Sequence, residues 1–401
     1  MKSYIFLTSN LHVVGGQQLY ITSKAKWLKN NGYRVNIIAS AKGEIYINDL
    51  KQYKDNIIEE LTVIPYWFNR RKRNSIIEKV TKIIGRVDDD IIIESSNQPI
   101  SVWGEIIAKR LNAKHLFFSL QEKNTFRTKD LYEYLAFKLK RGELAGIKEE
   151  TFRTVFKYNW KSVPKLRAYM SNIPEDYEYE LLNELKPVRY TIGMIGRLGK
   201  PFVLPVIKEI NEFVSHHKDD SFNLIMIGGS SNKKNYKRIK SYCEKTDNLN
   251  LYVTGFIYPI PLQLIQIPDV FISSAGSSII SAHYNKITIS IDSQDYNPIG
   301  VLGVTTQNTI YRDSDEPIMK LDDLLADVLI NSKYKQEEIN LKVSIFNPDY
   351  SDHIEFLNKS ADTIDYYDFD FNKPKYKVGQ FIINCLGSTG IKNLKRIRSK
   401  L

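Results

Sequence analysis

A chain of 401 residues exceeds what one hydrophobic core ordinarily covers, so its length predicts two domains. Hydrophobic residues make up 42% and charged residues 26%, the balance of a globular chain, and the net charge of +11 asks for an anionic partner. No apolar run reaches the ~18–20 residues of a membrane span, and neither a zinc-finger spacing nor an RNA-binding aromatic signature is present, so a spanning protein and a nucleic-acid partner are not expected.

The apolar stretch Tyr4–Leu7 is too short for a signal-peptide core, which predicts a cytoplasmic protein. Cys243 and Cys385 match no metal-ligand spacing and read as buried or bystander thiols. Tyr4 to Thr8 is a β run followed by Gly15–Gly16, after which Ile21, Ala25 and Leu28 recur at helical spacing. Arg34 to Ala39 is the next strand. The glycine pair therefore sits at the first strand-to-helix turn, where α/β sheets bind ligands, but without the spacing of a dinucleotide fingerprint. Pro65 to Arg73 sets aromatics beside basic residues, a pattern that predicts contact with an anionic membrane surface, and the helix after it reads as core-packed. Asp88-Asp89-Asp90 precedes the strand Ile91–Ile93, on the wrong side for a metal site, and reads as a solvated entry. The strand His115–Leu120 ends in Gln121-Glu122, which makes Glu122 a site candidate. Leu166 to Met170 is expected to close the first sheet.

The acidic stretch 175–187 reads as the connection between a first domain, 1–174, and a second, 188–375, with a basic amphipathic tail at 376–401. In the second domain the strands Tyr190–Ile195, Asn223–Ile227, Leu251–Thr254 and Val270–Ile272 each end in a turn of small or functional residues. Arg197 and Lys200, after the first of these, are placed to clamp phosphates. The turn Ser273–Ser278 opens a helix from Ile279, and such a terminus offers backbone N–H groups to an anion; an ordinary serine N-cap is the bland alternative. His216, His217 and His283 show no ligand spacing. Asp292 to Asn308 reads as a long loop and Leu321 to Leu329 as a helix.

Together these residues resemble the retaining family-4 glycosyltransferases of GT-B architecture, an α/β fold of two Rossmann-like domains facing a cleft, here with a C-terminal helical tail. The marks of the resemblance are Gly15–Gly16 with Gly32-Tyr33-Arg34-Val35, Gly196-Arg197-Leu198, Gly228-Gly229, Val253-Thr254-Gly255-Phe256 and Asp269-Val270-Phe271-Ile272, in the family's order. The resemblance implies that the first domain binds the acceptor and the second a nucleotide-sugar. Gly15, Gly16 and Gly228 would lie by the donor, and Arg197 with Lys200 would neutralise the diphosphate leaving group. Phe256, Ile257 and Tyr258 would meet the base. Ser274, Gly276, Ser277, Ser278 and Ser281 would cradle phosphate or sugar. Cations and N–H groups can stabilise a departing diphosphate without a metal, so no cofactor is expected.

Two features depart from the family. Its two glutamates, eight positions apart around this turn, correspond to Ser273 and Ser281, and its histidine after the strand ending at Leu120 is missing. The expected function is sugar transfer from a nucleotide-sugar to a glycan or lipid-linked acceptor in bacterial surface-polysaccharide assembly, capsule or lipopolysaccharide, in the cytoplasm or peripherally at the inner membrane face. A non-catalytic relative that binds a glycan or a partner enzyme is the alternative. An epimerase lacks a supporting carboxylate–histidine set.

Overall fold

The computed structural model describes residues 2–85, 90–97, 99–120, 129–147, 152–153, 156, 160–170, 172–342, 348–360, 365–374, 376–383 and 385. The chain forms two compact units, one of Met1–His12, Tyr20–Tyr169 and Pro348–Leu401, the other of Val13–Leu19 and Met170–Asn347. Asp88, Asp89 and the basic stretch 391–401 lie outside the described residues. No helix among those residues is long and apolar enough to cross a membrane.

In the first unit strands and helices alternate: β1 (Ser3–Thr8), α1 (Gly16–Asn30), β2 (Arg34–Ala39), α2 (Arg70–Ile84), β3 (Ile91–Ser95), α3 (Ile100–Leu111), β4 (Lys114–Ser119), α4 (Lys129–Lys140) and β5 (Leu144–Gly146). They make a parallel sheet in the order β2-β1-β3-β4-β5. The central strands are buried along their length, as strands covered on both faces must be, and are correspondingly rich in Ile, Leu and Phe.

Three expectations are corrected here. The sheet closes with Leu144–Gly146 rather than Leu166–Met170, which forms no strand; just before it Lys165 makes an isolated bridge to Gly146, and Pro164, with no N–H to donate, keeps that bridge from growing backward into a ladder. The aromatics of Pro65–Arg73 do not face outward: Tyr66 and Phe68 are buried, Tyr66 stacking on Tyr376 at 4.3 Å and Phe68 packing on Trp103. The chain also returns to the first unit at Pro348, so 348–375 does not belong to the second. The reason is apolar: Tyr350, Leu357, Phe369, Tyr376 and Ile383 are all buried, most of them in the first unit's core clusters.

The second unit holds β6 (Tyr190–Ile195), α5 (Val203–His216), β7 (Phe222–Ile227), α6 (Lys233–Cys243), β8 (Leu249–Val253), α7 (Leu262–Gln266), β9 (Val270–Ser273), α8 (Gly276–His283), β10 (Ile287–Ile291), β11 (Pro298–Val301) and α9 (Leu321–Leu325). The order is β11-β10-β9-β6-β7-β8, with β11 antiparallel and the rest parallel. The expected loop 292–308 thus contains an edge strand. Residues 175–187 are not a bare linker either. Tyr179, Leu182 and Leu185 pack on the second core, and Glu175 bridges Pro261. Helix α10 (Ser351–Asn358) and the helical residues 376–383 lie in the first unit.

Two buried ionic clusters tie the first unit together. Lys24, fully buried, donates to Glu94 at 2.7 Å, to the Tyr20 hydroxyl at 3.1 Å and to His353 Nδ1 at 2.9 Å. Tyr4 and Tyr20 donate to the same carboxylate at 2.6 and 2.8 Å, and His353 Nε2 to the Arg167 carbonyl at 2.7 Å. Every ammonium proton therefore has an acceptor, which a charge at this depth requires. In the second cluster His115 lies between Ser95 and Glu105, 2.8 Å from each, and Lys138 bridges Glu105 and Glu143. Burial would raise the Glu105 carboxyl, but Lys138 and His115 outweigh it and bring it to about 2. Burial, then the Lys24 ammonium, pushes the His353 imidazole down to about 2.

Folding must strip the proton from His353, so its contribution is complete above its unfolded value of about 6.5 and declines as pH falls toward 2. His353→Gln should remove about 1.4 kcal/mol per pH unit of acid sensitivity between pH 6 and 4, checked by urea unfolding at several pH values. In the second unit Gly228 has φ +151°, and a Cβ there would lie 2.0 Å from the Gly196 carbonyl oxygen. Gly228→Ala should lose at least the roughly 1–3 kcal/mol of backbone strain, seen as a lowered melting temperature.

Candidate functional site

The expected donor residues gather in the second unit at the carboxyl ends of β6, β7, β8 and β9. Strand β6 comes first in this unit and has β9 on one side and β7 on the other. That reversal of strand order opens a crevice outside the strand ends, where ligands of open α/β sheets sit.

Backbone contact shapes the floor. Gly228 presses on the carbonyl of Gly196, and Gly229 lies so close to the amide of Phe256 that a Cβ would approach it to 2.6 Å. The turns after β6, β7 and β8 therefore stack without intervening side chains. Thr254 adds a hydroxyl that accepts from the Gly228 amide at 3.0 Å.

Arg197 follows Gly196 and is exposed. Among the described residues its guanidinium has no carboxylate partner. The segment Val13–Leu19 clusters with this unit, and a Cβ on Gly15 would lie 3.6 Å from Cδ and Nε of Arg197. Gly16 lies under the Met170 side chain. Lys200 is half-buried, its stem beside Gly196 and its ammonium 5.6 Å from the Phe202 ring centroid. Arg197, Lys200, Gly15, Gly228 and Ser277 thus converge on one turn, Ser277 Oγ lying 3.9 Å from a Cβ built on Gly196.

The serine turn divides into an inner and an outer set. Ser273 is buried and its hydroxyl accepts from the Ile195 amide at 3.1 Å. Ser278 is buried and donates to the Ala275 carbonyl at 2.6 Å. Ser281, expected to contact donor, is also buried, accepting from Thr288 at 2.8 Å and donating to Ser278 at 3.2 Å. Ser281 therefore links α8 to β10 and Ser278 closes the helix's own first turn, so neither, against expectation, presents an open hydroxyl to a donor. Ser274 Oγ is 3.2 Å from Ser293 Oγ and reaches the Thr309 carbonyl. The outer set is Gly276 and Ser277. A Cβ on Gly276 would meet nothing within 4 Å, so the head of α8 opens onto space at Gly276 and Ser277, while the Ser278 amide is bonded to the Ala275 carbonyl at 3.1 Å. Ala275 holds φ +61° just before it, a left-handed conformation uncommon outside glycine.

The loop Gly255–Pro259, carrying Phe256, Ile257 and Tyr258, is braced by residues 172–179 of the same unit. Asn172 donates to the Ile257 carbonyl at 3.2 Å, Tyr177 to that of Pro259 at 2.7 Å and Tyr179 to that of Thr254 at 3.2 Å. On the other flank Asp292 accepts from the amides of Gln294 and Arg312, holding the stretch that runs past Thr309 against Ala275. These supporting residues carry no motif. Asp292 follows a buried strand, which was the one signal for it. Glu122 lies outside the described residues. Two surface cavities of about 370 Å³, around His12 and around Tyr236, contain none of the expected residues. The glycine turns make the better site because their backbone groups converge there.

No family model matches the sequence, and no curated protein matches it. Solved structures do. Anabaena HepE, in complex with UDP and glucose, aligns over 84% of this chain and 93% of its own at a TM-score of 0.57 and 13% identity. A glycosyltransferase from Rickettsia africae covers 100% of this chain and 99% of its own, at 0.54 and 17%. The E. coli trehalose-6-phosphate structure bound with UDP-2-fluoro glucose covers 96% and 99%, at 0.51 and 13%. At such identities the likeness is one of fold, and the fold of this chain is the two-unit α/β fold of the GT-B glycosyltransferases.

Proposed function

We propose that this chain transfers a sugar from a nucleotide-sugar donor to a glycan or lipid-linked acceptor, with the donor diphosphate at the turn formed by Gly196, Arg197, Gly276 and Ser277. The observation that carries this reading is the exposed, carboxylate-free Arg197 set beside a helix terminus that opens onto space. Breaking the bond between sugar and diphosphate builds negative charge on the leaving group. A guanidinium carried on a turn that backbone contacts hold in place, together with oriented N–H groups, would stabilise that charge with little reorganisation. The UDP and UDP-glucose complexes of HepE lend support by analogy of fold.

In this reading the transfer is retaining, as in the family resembled, and the leaving phosphate takes the acceptor proton. A metal is not required. Phe256, Ile257 and Tyr258 line the base. The physiological setting is surface-polysaccharide assembly at the cytoplasmic face of the membrane. The second reading, a non-catalytic relative, is favoured by one observation. The positions of the family's glutamates hold buried serines whose hydroxyls are spent on neighbouring groups.

Two variants separate the readings. Arg197→Ala should lower turnover about 10²–10³-fold with an unchanged melting temperature; unchanged turnover would remove the clamp. Gly276→Val should fold normally, because a Cβ there meets nothing, yet block the diphosphate, and a donor-hydrolysis assay reads both. EDTA should leave the wild-type rate unaltered. Absence of any transfer or donor hydrolysis by folded wild-type protein, across nucleotide-sugars, supports the non-catalytic reading.

A further inference from the structure

A sheet presents a row of unpaired backbone groups at each edge, and among the described residues the edges β2, β5 and β11 are closed. On β2 the Val35 and Ile37 carbonyls accept from Tyr53 and Asn56, and Ala39 bonds to Asn56 and Ile58. On β5 Gly146 bonds to Pro164 and Leu166, and on β11 Val301 bonds to Thr305. The fourth edge, β8, is different. The Asn248 carbonyl and the Thr254 amide bond to β7, which sets Asn250 and Tyr252 toward β7 and turns the amides and carbonyls of Leu251 and Val253 outward. Those outward groups have no hydrogen-bond partner among the described residues. The strand Leu249–Val253 also carries no lysine, proline or bulge, the usual means of blunting an edge.

A groove of about 370 Å³ lies against this edge. Cys243, Leu249 and Leu251 form its floor. Tyr236 and Lys240 of α6 line one flank, and Lys186 the other, its amide donating to the Tyr252 hydroxyl at 3.0 Å. The exposed Lys186 has no carboxylate partner among the described residues. Lys240 shares Glu244, the lining's carboxylate, at 3.5 Å, and a pair so open to water holds weakly. One helical turn before Tyr236 and Lys240 stand Lys233 and Lys237, also exposed and without a carboxylate among the described residues. A second copy of the chain pairing edge to edge would set these lysines against each other, whereas a strand bearing carboxylates would neutralise them.

We propose that β8 is a docking edge for an extended acidic segment of a partner protein. The segment adds as a strand beyond β8, bonds through its main chain to Leu251 and Val253, and sets acidic side chains against Lys240 on one face and Lys186 on the other. Main-chain bonds supply the attachment, and the lysines on both flanks select for negative charge. The groove shares no residue with the diphosphate turn, so its failure would leave the transferase reading untouched, and the reverse.

The probe is a fluorescein-labelled, end-blocked peptide repeating Glu-Glu-Val, about nine residues long so that it spans β8 and carries carboxylates on both faces. It is titrated with the full chain and read by anisotropy, and saturable binding is expected. A Lys-Lys-Val counterpart should bind about tenfold more weakly or worse. So should the Glu-Glu-Val peptide N-methylated at every amide, which keeps the charge but has no N–H to donate, at about tenfold or more. Lys186→Glu with Lys240→Glu should weaken the probe about fivefold or more at an unchanged melting temperature, both side chains being exposed. Hydrogen exchange supplies the position: the Leu251 and Val253 amides should slow about tenfold or more with probe bound, which attraction to α6 alone would not cause. No binding, equal binding of either control peptide, a charge-reversed protein that binds like wild type, or unprotected amides at Leu251 and Val253 would each overturn the proposal. So would a dimer in light scattering that itself protects those amides, which would assign the edge to a second copy of the chain.

Discussion

The second unit depends on one close approach, that of Gly228 to the carbonyl oxygen of Gly196, which leaves no room for a Cβ. Two parallel strands end side by side here, and their turns must fold over each other before either chain can enter its helix. Glycine at 228 allows the left-handed backbone and the contact at once. Because no side chain separates the turns, Arg197 emerges from a rigid backbone, and the first turn of α8 is set next to it. Within the turns the amides of Gly196, Leu198 and Gly228 are already paired, with Ile227, Gly229 and Thr254, which fixes the backbone that carries Arg197. A site made in this way binds through groups that are already in place, which is what stabilising a developing diphosphate charge needs.

The first unit is held differently. Its sheet is mostly apolar, yet Glu94 on β3 and Lys24, Glu105, Lys138 and Glu143 around it are buried. Such charges stabilise little in themselves against well-packed hydrophobic residues, but each is costly to leave alone. Their effect is one of selection: Lys24 requires His353, which arrives from a segment more than three hundred residues later, so α10 has a single fitting position. The aromatic residues that follow, Phe369, Phe371 and Tyr376, then cover Tyr66.

Periodicity in the sequence was enough to find β1, β2, β6, β7 and β9 close to their observed bounds, because buried parallel strands read as apolar runs ending in glycine or serine. The turns were legible for the same reason. Chain return was not: Tyr350, Ile354 and Leu357 recur at helical spacing, but a helix period does not say which core the helix joins, and Phe369 lies among charged residues. Strand β5 was missed because three residues make no pattern, and β11 because Pro298 and Gly300 look like loop. Arg197 and Gly276 were readable as candidates from their place after strands, and the fold brings their turns together. Ser281 was misplaced, since a serine one turn into a helix looks alike whether it faces a ligand or, as here, Thr288. Asn172 and Tyr177 support the site only through the fold.

The central claim is that the glycine turns and Arg197 hold a nucleoside diphosphate. The most direct measurement is calorimetric titration of the intact protein with UDP, GDP, CDP and dTDP in buffer containing EDTA. The account predicts saturable, one-site, metal-independent binding of one of them, lost in Gly276→Val. Heat indistinguishable from dilution for all four, from protein shown to be folded, would contradict it.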